Sequence, residues 1–289
     1  LLNFRQMIFI PDHTIDQWLL EDVALGDVTT RSLGLTAQTG KIAFYRRQAG
    51  RVSGTTLAAR VLARCGLTVD VSLPDGIDAD ADACLVRAHG RVDRLHQAAK
   101  VAQNVLEWAS GVAAKMARMV AAARAVYPDM QIACTRKSIP GTRFLATTAI
   151  LDGGGLIHRV GMAETILLFK NHRRFFPEPF DWEKYVSMLR RNAPEKKIVV
   201  EVETPEEMCS ALAARPDAIQ FDKFSPEQIR ACCALARQSA GACLLIAAGG
   251  IDEHNVADFA ATGVSLLVTS APYYALPADI RVVIEPDMA

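Results

Sequence analysis

The hydrophobic pattern of this chain changes period partway along its length. Residues 13–25 (HTIDQWLLEDVAL) set Ile15, Trp18, Leu19 and Val23 at three- and four-residue spacing, between the capping candidates Asp12 and Thr14 and a stop at Gly26. GDVTT then reads as a loop. TGKIAFYRRQAGRVSG alternates like a strand pair with one exposed face, and a helix follows over TTLAARVLARCG. TVDVSLPDG and ACLVRAHGRVDRL read as further strands on either side of an acidic turn at 75–83. From His96 to Tyr127 the apolar positions recur helically through Val101, Val105, Trp108, Val112, Met116 and Val120. Gly111 falls inside that helix, where glycine weakens stability, so it predicts a bend or a close contact.

After Pro128 the texture becomes short apolar strands alternating with helices. The strands are expected at 131–135, 165–169, 197–203, 218–221, 243–248 and 265–270, and the helices at 181–191, 205–214, 226–238 and 253–262. The third helix opens with Ser225 as cap, Pro226 at its first position and Glu227 in its first turn. Near-continuous apolar strands separated by helices predict a parallel sheet, and six or seven of them favour a TIM-like β/α barrel. The earlier block, strands with one or two helices, reads as an α+β sandwich domain. We therefore expect an N-terminal domain over 1–113, rejoined by a final strand within 274–289, and a barrel over 114–273.

Composition narrows the partners. A hydrophobic content of 51% with 22% charged residues describes a globular protein with ample core-forming material. Thirty-two bases balance 32 acids, which gives no global attraction to nucleic acid or an anionic membrane. Seven cysteines without ladder-like spacing argue against a disulfide framework and for a reducing, cytoplasmic setting. The adjacent Cys232 and Cys233 read as buried thiols. The opening LLNFRQMIFIPDH is too short and wrongly flanked for a signal peptide, and the apolar run near Ala240–Ile251, at about 12 residues, falls short of a bilayer span.

Positive charge is nevertheless concentrated locally, between Cys134 and Arg174. There Arg136-Lys137 precede Ser-Ile-Pro-Gly, and His158-Arg159 follow soon after Gly153-Gly154-Gly155. Glycines admit close backbone approach, while paired Arg and Lys offer a planar fork and a point charge, a combination suited to phosphate or carboxylate groups. In a barrel the site forms where strands end. The predicted strand ends carry Arg136-Lys137, Lys170, Glu201 with Glu203, Asp222, Gly249-Gly250 and Thr269-Ser270. Glu201 and Glu203, two apart on one strand, are expected to share an inward face, a costly arrangement unless they bind a cation or hydroxyls. With Asp222 they suit Mg²⁺ and a ribose diol. Ala248-Gly249-Gly250, ahead of a helix expected from near Asp252, and Thr269-Ser270-Ala271 read as a two-loop phosphate site.

The blocks LLEDVALGDVTT, TRKSIPGTR, GGGLIHRVGMAET and KNH resemble, in order, the signature segments of the quinolinate phosphoribosyltransferase (nicotinate-nucleotide pyrophosphorylase) family, most closely its ModD branch, which accompanies molybdate-uptake systems. The resemblance covers nearly the whole chain. It implies transfer of a phosphoribosyl group from phosphoribosyl pyrophosphate to a heterocycle nitrogen, with Mg²⁺, in a homodimer or larger even oligomer. It also implies roles. Lys137 would contact the donor's pyrophosphate, and Arg136, His158 and Arg159 the acceptor's carboxylates. Glu201 and Asp222 would hold ribose hydroxyls and Mg²⁺, and residues 248–250 and 269–271 the 5′-phosphate.

Four positions depart from the family pattern. Lys100, ahead of Asn104, stands where quinolinate enzymes carry an arginine that reaches the partner's acceptor. Phe169-Lys170-Asn171-His172 replaces Lys-Asp-Asn-His, and Ala248 replaces a serine. The donor side is thus intact and the acceptor side altered, which favours an acceptor other than quinolinate. A quinolinate-using enzyme of NAD biosynthesis, a non-catalytic ligand sensor and, on Lys170 alone, a Schiff-base aldolase remain as alternatives.

Overall fold

The computed structural model describes residues 8–238 and 243–287. The first residues of the N-terminal segment and the beginning of the apolar run, at Ala240, lie outside them. In chain order the elements are α1 (Asp12–Val23), α2 (Val28–Ser32), β1 (Thr39–Arg46), β2 (Gly50–Arg51), α3 (Thr55–Arg64), β3 (Thr68–Ser72), β4 (Asp78–Ala79), β5 (Cys84–Arg91) and the long α4 (Val92–Val126). There follow β6 (Gln131–Cys134), α5 (Arg143–Asp152), β7 (Leu156–Ile157), β8 (Ile166–Leu168), α6 (Lys170–Arg173), α7 (Trp182–Asn192) and β9 (Ile198–Val202). The chain continues with α8 (Pro205–Ala213), β10 (Ala218–Asp222), α9 (Pro226–Ala236), β11 (Leu244–Ala248), α10 (Val256–Ala260), β12 (Leu266–Thr269) and β13 (Ile280–Pro286). The chain divides into two compact units. One holds the residues up to Ala117, Ile139–Gly154 and the segment from Tyr273 onward; the other holds Arg118–Ser138 and Gly155–Pro272.

The first unit is built on a four-stranded antiparallel sheet in the order β13-β1-β5-β3. Alternation in β1 and β5 turns Ile42, Phe44, Val86 and Ala88 inward, where they pack with Val61 and Leu62 of α3 and Leu95, Ala102 and Leu106 of α4. The closing strand β13 adds Ile280 to this core. It is tied to α4 by hydrogen bonds from Gln103 Nε2 to the Ile280 carbonyl and from the Ala278 amide to the Glu107 carbonyl, each 2.8 Å. Gly111 is the point of closest approach. A Cβ there would sit 2.3 Å from the Leu276 carbonyl oxygen, so the glycine answers to a contact.

The second unit carries seven parallel strands in the order β7-β6-β12-β11-β10-β9-β8. Ala133, Val199, Ala218, Ile246 and Val268, from five of these strands, meet in one apolar cluster with Leu167 of β8 packed against it. The sheet therefore wraps around a common interior as a half-barrel, with β7 and β8 as its edges. Helices cover the outer face, burying Tyr185 and Val186 of α7, Met208 of α8 and Cys232 and Cys233 of α9. The turns that convert strand to helix are capped by the residues the sequence offers. Thr204 Oγ1 accepts from the Glu207 amide at 3.2 Å, and Ser225 and Gln228 form a reciprocal capping box ahead of α9.

Several expectations are corrected. The GDVTT loop is a short helix, because Asp27 accepts from the Thr29 and Thr30 amides. The long helix starts at Val92 rather than His96, and a helix over Arg143–Asp152 had no sequence assignment. The helix expected over 253–262 is confined to Val256–Ala260, since Asp252 and Asn255 form a turn in front of it. None of the seven cysteines forms a disulfide, and among the described residues no helix is long and apolar enough to cross a membrane.

Replacing Gly111 with alanine opposes two effects. Helix propensity favours alanine by about 1 kcal/mol, whereas overpacking against backbone costs about 1–3 kcal/mol. The contact at Leu276 is with backbone, which cannot rotate away, so Gly111→Ala is expected to lower the melting temperature. A rise in thermal unfolding measured by circular dichroism would show that the 276–277 segment yields.

Candidate active site

The polar residues of the half-barrel gather where its strands end. Below, the inward positions are apolar; above, on the same inward faces, stand Glu201 of β9 and Gln220 and Asp222 of β10. Glu201 and Gln220 are register partners, and Gln220 Nε2 donates to Glu201 Oε2 at 2.6 Å. Burial raises the Glu201 carboxyl above the usual glutamate range, the neighbouring Asp222 charge adds to this, and the Gln220 hydrogen bond opposes it. Two carboxylates repel across this face, and that repulsion calls for a cation or for hydroxyl donors.

Around them lies a cavity of about 470 Å³. Arg136, Lys137, His158, Arg159, Glu201, Asp222, Ala248, Gly249, Gly250, Thr269, Ser270 and Ala271 all line it. His158 is placed by its amide, which donates to the Cys134 carbonyl at 2.9 Å and extends the β6–β7 pairing. Burial lowers the His158 imidazole below the ordinary histidine value and the Arg159 charge lowers it further, so the ring is neutral at pH 7. Arg159 is itself lowered by burial and by Arg136, and raised by Glu164 and Glu201.

The two loops opposite the acids are fixed by their own backbone. Thr269 Oγ1 donates to the Ile251 carbonyl at 2.6 Å and accepts from the Ala271 amide at 3.0 Å, joining the end of β12 to the end of β11. Gly249 has φ of 88°, and a Cβ there would lie 2.6 Å from Lys223 Cγ and 2.9 Å from Asp222 Oδ1. Only glycine allows this loop to lie against β10. Because the helix after it starts at Val256, the Asp252 amide is taken by Asn255 Oδ1 at 2.9 Å. The free donors at this turn are therefore those of the loop's own amides, because the Thr269 hydroxyl is spent on bracing the loop and the helix N-terminus that the sequence pattern suggests is capped by Asn255.

Phe169 lines an adjoining pocket of about 400 Å³ that shares Arg136, Arg159 and Leu167 with the first. Its ring meets His172 edge-on, with centroids 4.3 Å apart. Glu203 and Lys170 line neither pocket. The strand ends at Val202, so Glu203 leaves the inward face it was expected to share with Glu201 and pairs with Lys170 at 2.6 Å. Lys170 is the first residue of α6, and this ion pair engages it away from both pockets. Lys100 belongs to the first unit, exposed on α4, and donates to Gln103 Oε1 at 2.7 Å.

Thr135, Gln220, Lys223 and Asp252 also line the cavity and were not singled out from the sequence. Gln220 carried a legible signal, a lone amide in the apolar run AIQF. Lys223 did not: its left-handed backbone, φ 61°, is a tertiary feature, held by its amide donating to the Ala248 carbonyl at 2.8 Å.

Comparison with known proteins agrees with this geometry. The family model for the quinolinate phosphoribosyl transferase C-terminal domain matches residues 112–283, and that for the N-terminal domain matches 27–110. The ModD protein of Escherichia coli O6:H1 is 51% identical over 280 residues, 97% of this chain and 99% of its own. The nicotinate-nucleotide pyrophosphorylase (carboxylating) of Mycobacterium leprae is 31% identical over 265 residues, 89% and 91% of the two chains. Among solved structures, NadC from Streptococcus pyogenes superposes with a TM-score of 0.87 at 26% identity, covering 95% of this chain and 96% of its own. Both domain matches, in order and along nearly the full length, thus converge with the barrel-mouth site: this chain belongs to the quinolinate phosphoribosyl transferase family, a family of pyrophosphorylase-type phosphoribosyltransferases.

Proposed function

We propose that this protein transfers the phosphoribosyl group of phosphoribosyl pyrophosphate to a ring nitrogen of a heterocycle other than quinolinate, with Mg²⁺. The observation that carries the reading is a single cavity lined by two buried-face carboxylates, Glu201 and Asp222, by the bases Arg136, Lys137 and Arg159, and by the Gly249-Gly250 and Thr269–Ala271 loops. In the transfer the bond from the anomeric carbon to the pyrophosphate oxygen breaks and a carbon–nitrogen bond forms. Charge develops at both ends: an oxocarbenium-like sugar, which nearby carboxylates stabilise, and a departing pyrophosphate, which cations stabilise. Lys137 and Arg136 are assigned to the pyrophosphate and acceptor ends, and the two loops to the 5′-phosphate.

The donor set supports Mg²⁺. Among the described residues no three His, Cys, Asp or Glu side chains converge as a metal cage. Magnesium ordinarily takes one or two carboxylates and completes its shell with water and substrate phosphates, which is what Glu201 and Asp222 beside a phosphate-binding loop provide. Bound there, the ion would neutralise developing charge on the leaving group.

On the acceptor side, Phe169 sits where the family pattern has a cation, and it faces the pocket that Arg136 and Arg159 share. A desolvated carboxylate without a partner costs several kcal/mol. An aromatic wall instead suits a flat, less anionic ring. The link to molybdate metabolism that the sequence resemblance implies belongs to the same proposal.

Three outcomes are expected. Calorimetry should detect phosphoribosyl pyrophosphate binding that needs Mg²⁺, is abolished by chelation, and is weakened by about 1–3 kcal/mol in Asp222→Ala, the scale of a hydrogen bond to a charged group. No binding at millimolar donor would refute the assignment. Quinolinate should be a poor acceptor, and Phe169→Lys combined with Lys100→Arg should raise nicotinate mononucleotide formation. Turnover of quinolinate by the unmodified protein at about 1 s⁻¹ or faster would overturn the acceptor reading. Sedimentation should find a homodimer or larger even oligomer, as the resemblance implies for the α4 helix carrying Lys100; a fully active monomer at micromolar concentration would contradict it.

A further inference from the structure

Gln220 is an amide in the wrong company. Its neighbours along β10, Ala218, Ile219 and Phe221, are all buried and apolar, and Gln220 itself is only 5% exposed. Strands in a half-barrel interior favour valine, leucine or alanine at such a position, because a buried polar group is costly unless both its ends are used. One end is used. Nε2 donates to Glu201 Oε2 at 2.6 Å, which also fixes which way the amide faces, since an ionised carboxylate accepts and does not donate. The other end, Oε1, is buried and meets no donor among the described residues. Gln220 lines the cavity between Glu201, its register partner on β9, and Asp222, two residues further along the same face. The side chain that carries this unpartnered acceptor therefore belongs to the wall where the acids stand.

We propose that Gln220 is a specificity-determining residue for the sugar: its carbonyl oxygen accepts a hydrogen bond from one hydroxyl of a ribosyl vicinal diol, while Glu201, oriented by the Gln220 amide, accepts from the other. A vicinal diol presents two adjacent O–H donors, and the two side chains here offer acceptors of different charge, the Gln220 carbonyl and the Glu201 carboxylate, linked by the Gln220 Nε2 hydrogen bond to Glu201. The amide thereby serves as both the brace of the carboxylate and its neighbour in recognition. The inference rests on the phosphoribosyl reading of the cavity and adds to it a residue to which the sequence pattern assigns no role.

The test is calorimetric titration, in Mg²⁺, with phosphoribosyl pyrophosphate and its 2-deoxy and 3-deoxy counterparts, on the unmodified protein and on Gln220→Leu and Gln220→Met. The unmodified protein is expected to prefer the full diol by about tenfold over each deoxy donor, the effect of one well-made hydrogen bond. In the variants, affinity for the full diol should fall by about tenfold or more, and discrimination should vanish at one hydroxyl while persisting at the other. A purely structural role would weaken all three donors together and keep both ratios. Retention of both ratios in whichever variant melts cooperatively overturns the proposal, as does an unmodified protein that binds the deoxy donors as tightly as the ribosyl one. Failure of the unmodified protein to bind any of the three would instead remove the phosphoribosyl reading itself, and this assignment with it.

Discussion

A carboxylate can be kept inside a barrel only near the end where the strands stop. Deeper in the interior, charge meets a low-dielectric environment with no water to solvate it, and the cost reaches several kcal/mol per ion. This chain obeys that constraint residue by residue. Val199 and Ala218 occupy the lower inward positions, Glu201 and Gln220 the layer above, and Asp222 the strand end. Burial raises the Glu201 carboxyl above the usual glutamate range even here, and the Gln220 hydrogen bond opposes that shift.

Around this layer the loops are held by backbone geometry more than by side-chain packing. Gly249 lies against Lys223 and Asp222 where no Cβ fits, and Thr269 bridges two strand ends through its hydroxyl. Loops fixed in this way are preorganised, so a ligand held by their backbone amides would cost little entropy to bind. The adjoining pocket is built differently. Phe169, His172 and the shared Arg136 and Arg159 offer an aromatic wall beside guanidinium groups, and Lys170 is committed to Glu203. The cavity thus joins a side set by charge and backbone geometry to a side walled by an aromatic ring.

Much of this is legible in the residues because it depends on local physics. Period-2 and period-3.6 alternation, Ser225-Pro226 and Thr204-Pro205 caps, and apolar strands bounded by charge follow from backbone sterics and burial, and they locate six of the seven strands of the half-barrel, all but the two-residue edge strand β7. The charged strand ends follow from the same pattern. That is why Arg136, Lys137, Glu201 and Asp222 can be named from predicted strand ends, while His158 and Arg159 stand out as a basic pair soon after three glycines; all six line one cavity.

Where each strand stops, and what crosses to meet it, is decided only by the folded chain. Glu203 reads as the twin of Glu201, yet the strand ends one residue earlier and an ion pair with Lys170 takes both side chains out of the site. Gly111 announces a contact without naming Leu276, which is distant along the chain but adjacent in space. Gln220 reads as an oddity in an apolar strand until its register partner is known to be Glu201. Alternation along one segment is a property of that segment. Register, strand ends and the partner of a buried amide belong to pairs of segments, and only tertiary structure brings those pairs together.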